Sequence, residues 1–98
     1  MPTHHPAPQA RLLDIHEVTA RRGCQRVKHY TDIKAGLMTP PVTEGPRFSR
    51  WPEHEIDAVV RARISGASDE DVRALVTVLM AQRLVMAPSQ LSRSEGAA

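Results

Sequence analysis

The sequence predicts a small, mainly helical domain that carries one β-hairpin. Three observations support this fold class. Four stretches of apolar residues recur at the three- and four-residue spacing of an amphipathic helix. Capping residues, glycines and prolines separate these stretches. Between the second and the third stretch, two short β-capable runs flank a Gly-Pro turn.

The domain is expected in the middle of the 98-residue chain. Residues 1–10 hold prolines, histidines and small residues without periodicity, so a flexible N-terminal arm is expected there. Residues 88–98 are rich in Ser, Gly and Ala, which favours a flexible tail. Between these ends we expect one compact domain over 11–66 and a C-terminal amphipathic helix over 67–87.

The first helix is expected to begin directly after Asp14, which is a favourable N-cap residue. Glu17 stands three residues later and completes a capping-box pattern. Ile15 and Val18, together with Leu13 just before the helix, are expected to form its buried side. Gly23 is expected to end it, because glycine adopts the left-handed conformation at little cost.

A second helix is expected from about Gln25 to Ala35, followed by a terminating Gly36. Val27, Tyr30 and Ile33 recur at every third position and are expected to face the core. The outward positions are then Gln25, Arg26, Lys28, His29, Thr31, Asp32 and Lys34. Two helices joined by a short glycine-containing turn form a helix-turn-helix. Amides, hydroxyls and cations on its second helix can contact base edges and phosphates, whereas the alternative interpretation is an ordinary solvated face.

The hairpin is expected from two runs, residues 41–43 and 48–51. Arg47 would lie at its tip and Arg50 on the returning strand. Trp51 is expected to close the hairpin onto the helices as a core residue; stacking on bases is the less favoured alternative.

Pro52 suits the first position of a third helix, and Glu53 and Glu55 in its first turn oppose the positive end of the helix dipole. The apolar stripe of this helix comprises Ile56, Val59, Val60 and Ile64. Gly66 is expected to break the helix after about Ser65.

A fourth helix is expected after Ser68, which precedes an acidic first turn. Its main apolar stripe comprises Val72, Leu75, Val76, Leu79 and Met80. A flanking line comprises Ala74, Val78, Ala81 and Val85. So broad an apolar surface exceeds what a small core needs. Packing on the domain is one use of it; a dimer or partner interface through Leu75, Val78 and Leu79 is the other.

Positive charge is concentrated in one stretch. The chain has 13 Lys/Arg and 11 Asp/Glu, a net charge of +2. From Arg11 to Trp51 there are eight basic and four acidic residues, and from Pro52 onward five basic and seven acidic ones. A surface that faces a polyanion requires such a local excess. A chance imbalance among solvated side chains is the alternative.

The order of these motifs resembles one family. The motifs are the Gly-to-Gly helix 23–36, the run Leu37-Met38-Thr39-Pro40-Pro41-Val42, the turn Gly45-Pro46-Arg47 and the segment Arg50-Trp51-Pro52. Over roughly Arg11 to Arg83 the chain resembles the AlpA-type prophage regulators, which are related to excisionases and to the MerR-like winged-helix fold. The resemblance implies a winged helix-turn-helix over 11–66, with the second helix in the major groove and the hairpin as the wing.

The resemblance also implies double-stranded DNA as the partner, and a role as a regulator of phage or mobile-element genes or as an excisionase-like directionality factor. The residues expected to contact DNA are Gln25, Arg26 and Lys28 at the helix start, Thr31 and Lys34 along it, and Arg47 and Arg50 in the wing. Many members carry Ser-Arg-Ser-Thr where this chain has Gln25-Arg26-Val27-Lys28, so the operator sequence cannot be carried over. A homodimer, tandem sites or a recombinase partner would add specificity.

The residues do not favour catalysis. Cys24 is the single thiol and is expected to be a buried core residue rather than a nucleophile. The five histidines lack metal-ligand spacing, so neither a metal nor another cofactor is expected. The single cysteine and the lack of a long apolar run favour a soluble cytoplasmic protein.

The alternative function is a protein-interaction module that has kept the fold without DNA affinity. An antirepressor or a recombinase adaptor would use the apolar surface of the last helix. The charged residues of the second helix would then be dispensable for its function.

Overall fold

The computed structural model describes residues 11–86. The expected N-terminal arm 1–10, the tail 88–98 and residue 87 lie outside the described residues. Within 11–86 the chain forms four helices and a three-stranded antiparallel sheet, which confirms the mainly helical class. The elements are β1 (Leu12–Leu13), α1 (Ile15–Arg22), α2 (Arg26–Lys34), β2 (Val42–Thr43), β3 (Ser49–Pro52), α3 (Glu53–Ile64) and α4 (Asp69–Met86).

Helix α1 has the predicted ends. The Asp14 carboxylate accepts a hydrogen bond from the Glu17 backbone amide at 2.8 Å, and the Glu17 carboxylate accepts one from the Asp14 amide at 3.0 Å. This reciprocal capping box satisfies two amides that the helix itself leaves without partners. Gly23 closes the helix in the left-handed conformation with φ of 65°. Both predicted termini are therefore confirmed.

The sheet has the order β1-β3-β2, so β3 is central. Val42 of β2 lies opposite Arg50 of β3, which confirms the predicted hairpin. Leu13 of β1 lies opposite Trp51, and β1 was not predicted. A two-residue strand directly before a helix cap is too short to show alternating hydrophobicity. Because β1 pairs with β3, the start of α1 is fixed to the hairpin.

Trp51 belongs to the core, as predicted, and is fully buried. Its indole Nε1 donates a hydrogen bond to the Thr39 backbone oxygen at 3.1 Å, which satisfies the one polar atom of the ring. The other buried apolar residues of this core are Leu13, Val18, Leu37, Met38, Ile56, Val59, Val72, Val76 and Leu79. All four helices and the sheet therefore enclose a single core, with Ile33 of α2 packed at its edge.

Helix α2 is rotated relative to the prediction. Val27 is 77% exposed and Tyr30 is also exposed, so the expectation that both face the core is wrong. His29 and Asp32, expected to point outward, are buried instead, and Ile33 is partly buried. The reason is that an arginine at the end of α1 gives each of the two buried polar side chains a partner, which offsets the cost of their desolvation.

Two details of α3 differ from the prediction. Pro52 is the last residue of β3 and the N-cap of α3 rather than its first helical residue, because its ψ of 131° is extended. Ile64 is 80% exposed, so it does not belong to the buried stripe. It is the last helical residue and lies beyond the packed positions Ile56 and Val59. Gly66 follows with a φ of 91° and breaks the helix, as predicted.

Helix α4 is capped by Ser68, as predicted. The Ser68 hydroxyl accepts a hydrogen bond from the Asp71 amide at 3.1 Å, and the Asp71 carboxylate accepts one from the Ser68 amide at 3.3 Å. Val72, Val76 and Leu79 are buried, so the main stripe packs on the domain. Among residues 11–86, α4 included, no helix is both long enough and apolar enough to span a membrane.

Two arginines of α4 fasten it to the rest of the domain. Arg83 donates to both carboxylate oxygens of Glu55 at 2.6 and 2.8 Å, and to the Pro40 backbone oxygen at 2.8 Å. Glu55 is fully buried, so this bidentate pair lies inside the packing of α3 on α4. Arg73 donates to the Ala35 backbone oxygen at 2.9 Å and so contacts the end of α2.

Candidate nucleic-acid interface

A cleft of about 360 Å³ lies between the start of α1, one side of α2 and the β2–β3 hairpin. Arg26 of α2 lines it together with Arg47 and Arg50 of the hairpin. Tyr30 and His16 contribute aromatic rings to the same lining. Three of the residues predicted to contact DNA are therefore brought together in one concavity, although they come from separate elements.

The local structure explains why these arginines meet. Arg26 is the first residue of α2, so its side chain lies in the first turn of the helix. Pairing of β2 with β3 places Arg50 on the central strand and Arg47 in the turn that precedes it. The Arg50 guanidinium lies 4.5 Å from the centre of the Phe48 ring and donates to the Ser49 backbone oxygen at 3.0 Å. Arg50 is therefore half-buried and held in one orientation.

The cations in this region differ in whether the protein neutralises them. Four of them have no carboxylate at ion-pair distance within residues 11–86: Arg26, Lys34, Arg47 and Arg50. Arg11, Arg21 and Arg22 each pair with a carboxylate. The positive excess seen in the sequence is thus carried by side chains of α2 and the hairpin. The cleft is lined by three arginines and one carboxylate, that of Asp14, so it has a positive excess and attracts a ligand of the opposite sign.

The remaining predicted DNA contacts of α2 are exposed. Gln25 is the N-cap, and its side chain makes no capping hydrogen bond. Thr31 and Lys34 are exposed further along the helix. Lys28 is exposed as well, but its ammonium lies 3.0 Å from a carboxylate oxygen of Asp32. Lys28 is therefore partly neutralised, unlike Arg26.

The predicted partner interface on α4 needs a correction. Leu79 lies in the core and is only 4% exposed, so it cannot contact a partner. Leu75 is partly buried against the same core. Val78 is exposed, and of the three residues it alone presents its side chain to solvent. The prediction combined residues of two adjacent apolar lines of α4. Leu79 belongs to the main stripe with Val72, which packs on the domain, whereas Val78 belongs to the flanking line.

A buried polar network under α2 was not predicted. Arg22, the last residue of α1, donates to the Nδ1 atom of His29 at 2.9 Å and forms an ion pair with the Asp32 carboxylate. Lys28 donates to the other oxygen of that carboxylate. Because Asp32 is the link between both cations, this network fixes α2 against the end of α1. The sequence does contain a signal for it: His29 and Asp32 are three residues apart and so lie on one side of the helix. The apolar residues Val27, Tyr30 and Ile33 have the same spacing, so the spacing alone does not decide which side is buried.

The electrostatics of this network favour a neutral histidine and an ionised aspartate. Burial and, to a smaller extent, the charge of Arg22 lower the pKa of His29 to about 4, and the Asp32 carboxylate offsets only part of this shift. Because arginine only donates, the His29 Nδ1 atom accepts and its proton resides on Nε2, which has no hydrogen-bond partner within residues 11–86. Burial opposes ionisation of Asp32, but hydrogen bonds from Arg22 and Lys28 outweigh it and lower the pKa of that carboxyl.

Comparison of the chain with protein-family models, with curated proteins and with solved structures gives no match. The resemblance to the AlpA-type regulators therefore stays a prediction from the sequence motifs. The chemistry of the site is read from its own geometry: a cationic concavity flanked by an exposed helix.

Other site chemistries have less support from the same residues. Within 11–86 there is no group of three His, Cys, Asp or Glu side chains that could hold a metal ion. Cys24 is partly buried rather than a core thiol, which corrects the sequence-based expectation. The cleft is lined by arginines that can bind anions, together with one aspartate and one histidine.

Proposed function

We propose that this protein binds double-stranded DNA as a winged helix-turn-helix, with α2 in the major groove and the β2–β3 hairpin as the wing. The supporting observation is the convergence of Arg26, Arg47 and Arg50 on one cleft without carboxylate partners among the described residues. Guanidinium groups bind phosphates bidentately, so the cleft holds the DNA backbone beside the groove that α2 enters.

The charge of α2 agrees with this orientation. Asp32 is the only acidic residue of the helix, and it is buried against Arg22. The outward surface of α2 therefore presents cations and no exposed carboxylate. A major groove bordered by two phosphate strands selects such a surface.

On the basis of the motif order, we further propose that the DNA sites lie in genes or attachment sites of a phage, prophage or other mobile element. The protein then acts in the cytoplasm as a transcriptional regulator or as an excisionase-like directionality factor. One small domain makes few contacts, so a homodimer, tandem sites or a recombinase partner supplies the remaining specificity.

The test is fluorescence anisotropy with a labelled duplex of mixed sequence, at low and at near-physiological salt. The wild type is expected to bind at low salt and to weaken steeply as salt is added. Arg26→Ala, Arg47→Ala and Arg50→Ala should each weaken binding and reduce the slope of log K against log salt by about 0.9. Arg61→Ala is the matched control, because Arg61 is exposed on α3, has no carboxylate partner among residues 11–86 and does not line the cleft.

Two results would overturn the proposal. One is an absence of duplex binding by the folded wild type at low salt. The other is an equal loss of affinity in all four variants, because binding would then depend on net charge and not on the cleft. If the protein passes this test, a selection of bound fragments from the host genome and its mobile elements would identify its natural site.

A second candidate function is a protein-interaction module. It is favoured by an uncharged apolar surface on α4 that includes exposed Val78, Leu84 and Val85. Co-purification of a recombinase that is lost in Val78→Asp and kept in Arg26→Ala would support it. The opposite pattern, in which only Arg26→Ala loses the recombinase, would assign that contact to DNA carried along in the preparation.

A further inference from the structure

Val27 is an apolar residue in the first turn of α2 that the fold leaves in solvent. It is 77% exposed, and the sequence pattern had placed it in the core. A single exposed valine needs no explanation on an ordinary surface. Here it lies on α2, and two cations of that helix, Arg26 and Lys34, have no carboxylate partner within residues 11–86, so its position on the helix matters.

The buried residues of α2 define its inward side, and Val27 lies opposite to them. His29 and Asp32 are buried, and each residue of a helix turns by about 100°. Val27 and Thr31 therefore lie on the side farthest from the core, with Lys34 one turn further along. Arg26 is turned towards the hairpin and lines the cleft instead.

This geometry separates two kinds of contact along α2. Arg26 faces the cleft with the wing arginines, which suits a backbone phosphate. Lys28, on the opposite flank, is tied to Asp32. The middle of the outward face is the part of α2 that would lie deepest in a groove. The first side chain on it is Val27, which presents two methyl groups.

The charges around Val27 identify the kind of partner. Arg26 and Lys28 flank it, Lys34 lies about two turns further along the same side, and the one carboxylate of the helix is buried. The partner must therefore present an apolar group within a negatively charged rim. In the major groove of DNA the C5-methyl group of thymine is that apolar group, and the phosphates form the rim.

We propose that Val27 is a specificity-determining residue that contacts the C5-methyl group of a thymine in the major groove. The inference rests on the proposed DNA binding and adds the chemical group that is recognised. It places direct base recognition on the outward ridge of α2 that begins at Val27. Arg26 then serves the phosphate backbone.

The test replaces thymine by uracil, which pairs identically and lacks only the methyl group. A duplex selected by the wild-type protein from a random library is resynthesised with each thymine replaced in turn. We expect one thymine per bound domain at which uracil weakens wild-type binding about threefold to fourfold, as for a lost methyl-sized contact. In Val27→Ala the same replacement should have no effect.

Two further variants make the result specific. Ile64→Ala is the matched control, because Ile64 is a similarly exposed aliphatic residue (80%) at the end of α3, outside both proposed surfaces, and the variant should keep the full sensitivity to uracil. Val27→Thr retains one methyl group and should show an intermediate penalty. Circular dichroism of each variant checks that the helices are retained.

The outcomes separate the inference from the function on which it rests. If the wild type selects no duplex, DNA binding fails and the assignment of Val27 fails with it. If a duplex is bound but no thymine is sensitive, or if Val27→Ala keeps the sensitivity, DNA binding stands and the assignment is overturned. If Val27→Ala leaves DNA affinity and uracil sensitivity unchanged but abolishes the binding of a protein partner, Val27 belongs to a protein interface.

Discussion

Arginines of the first half of this domain, up to Trp51, and of the second half, from Pro52 onward, have different partners. Those of the cleft have no carboxylate partner within residues 11–86: Arg26, Arg47 and Arg50. Two of the second half form ion pairs inside the domain: Arg63 with Asp69 and Arg83 with Glu55. The residue type is the same, so the difference comes from what the fold places beside each side chain.

Local composition explains much of this difference. The second half has seven acidic residues for five basic ones, whereas the stretch from Arg11 to Trp51 has four acidic residues for eight basic ones. Arg63 and Arg83 of the second half pair with carboxylates of the same half. Cations of the first half exceed their partners, and the surplus lies on the surface of α2 and the hairpin. An arginine whose charge no internal carboxylate neutralises is available to an anionic ligand.

The largest expected effect is the loss of the buried pair in the second half. Arg83→Ala removes both hydrogen bonds to Glu55, which is fully buried, and leaves an uncompensated carboxylate in the core. We expect a loss of about 3–5 kcal/mol in the free energy of unfolding. Urea denaturation followed by circular dichroism measures it.

A paired replacement distinguishes charge from packing at this position. Replacing both partners, as Glu55→Leu with Arg83→Met, should restore much of the lost stability, because no charge then remains buried. Arg61→Ala, which removes an exposed arginine, is the control and should change stability by less than about 0.5 kcal/mol. A loss of the same size in Arg83→Ala and Arg61→Ala would show that the buried pair does not hold α4 in place.

The second effect concerns the buried network of the first half and depends on pH. The folded-state pKa of His29 is about 4, below its ordinary value near 6.5, so the unfolded chain binds more protons between these two values. Stability should therefore fall as the pH is lowered from 6.5 to 4, by about 3 kcal/mol for a shift of this size. Asp32, whose pKa is lowered, adds a further loss at pH values below its ordinary 3.8.

Two measurements check this dependence. Nuclear magnetic resonance should give a midpoint near pH 4 for the His29 ring. Urea denaturation of His29→Gln, whose amide oxygen retains an acceptor for Arg22, should show a shallower fall over the same pH range than the wild type. A His29 midpoint near 6.5, or a stability that rises on acidification, would contradict the buried neutral imidazole.

The two regions also differ in how well the sequence predicts them. Helix ends were predictable because capping is local: Asp14, Gly23 and Ser68 each act on backbone groups within a few residues. The rotation of α2 was not, because it depends on Arg22 reaching His29 and Asp32 from another helix. Polar burial of this kind follows from tertiary pairing, which periodicity does not encode.

The same limit applies to the candidate site. The residue types of the cleft and its positive excess were predictable from composition, and the hairpin that carries Arg47 and Arg50 was predictable from its turn. Convergence with Arg26 on one concavity required the packing of the hairpin beside α2. The exposure of Val27 required the corrected helix rotation, so its proposed role could not come from the sequence alone.

Helix capping provides an intermediate effect in both regions. Asp14→Ala removes the half-buried cap of α1, and Ser68→Ala removes the exposed cap of α4. Each should lower the free energy of unfolding by about 1 kcal/mol, with the larger loss at Asp14, where the start of α1 is also joined to the sheet. Asp14→Asn and Ser68→Thr retain a capping oxygen and should lose less than the alanine variants in urea denaturation. Equal stability of the alanine and the capping variants would contradict the capping assignment.

The smallest expected effect on stability is that of removing the cleft arginines, which tests the difference between them and Arg83. Arg26→Ala and Arg47→Ala remove exposed cations that contact no carboxylate in residues 11–86, so the free energy of unfolding should change by less than about 0.5 kcal/mol. Any change should be towards higher stability at low salt, because like charges in one cleft repel each other. Urea denaturation at two salt concentrations measures this. A loss above about 1 kcal/mol would make these arginines structural, like Arg83. Retained stability together with reduced DNA affinity would mean that the fold keeps these cations unpaired for a ligand.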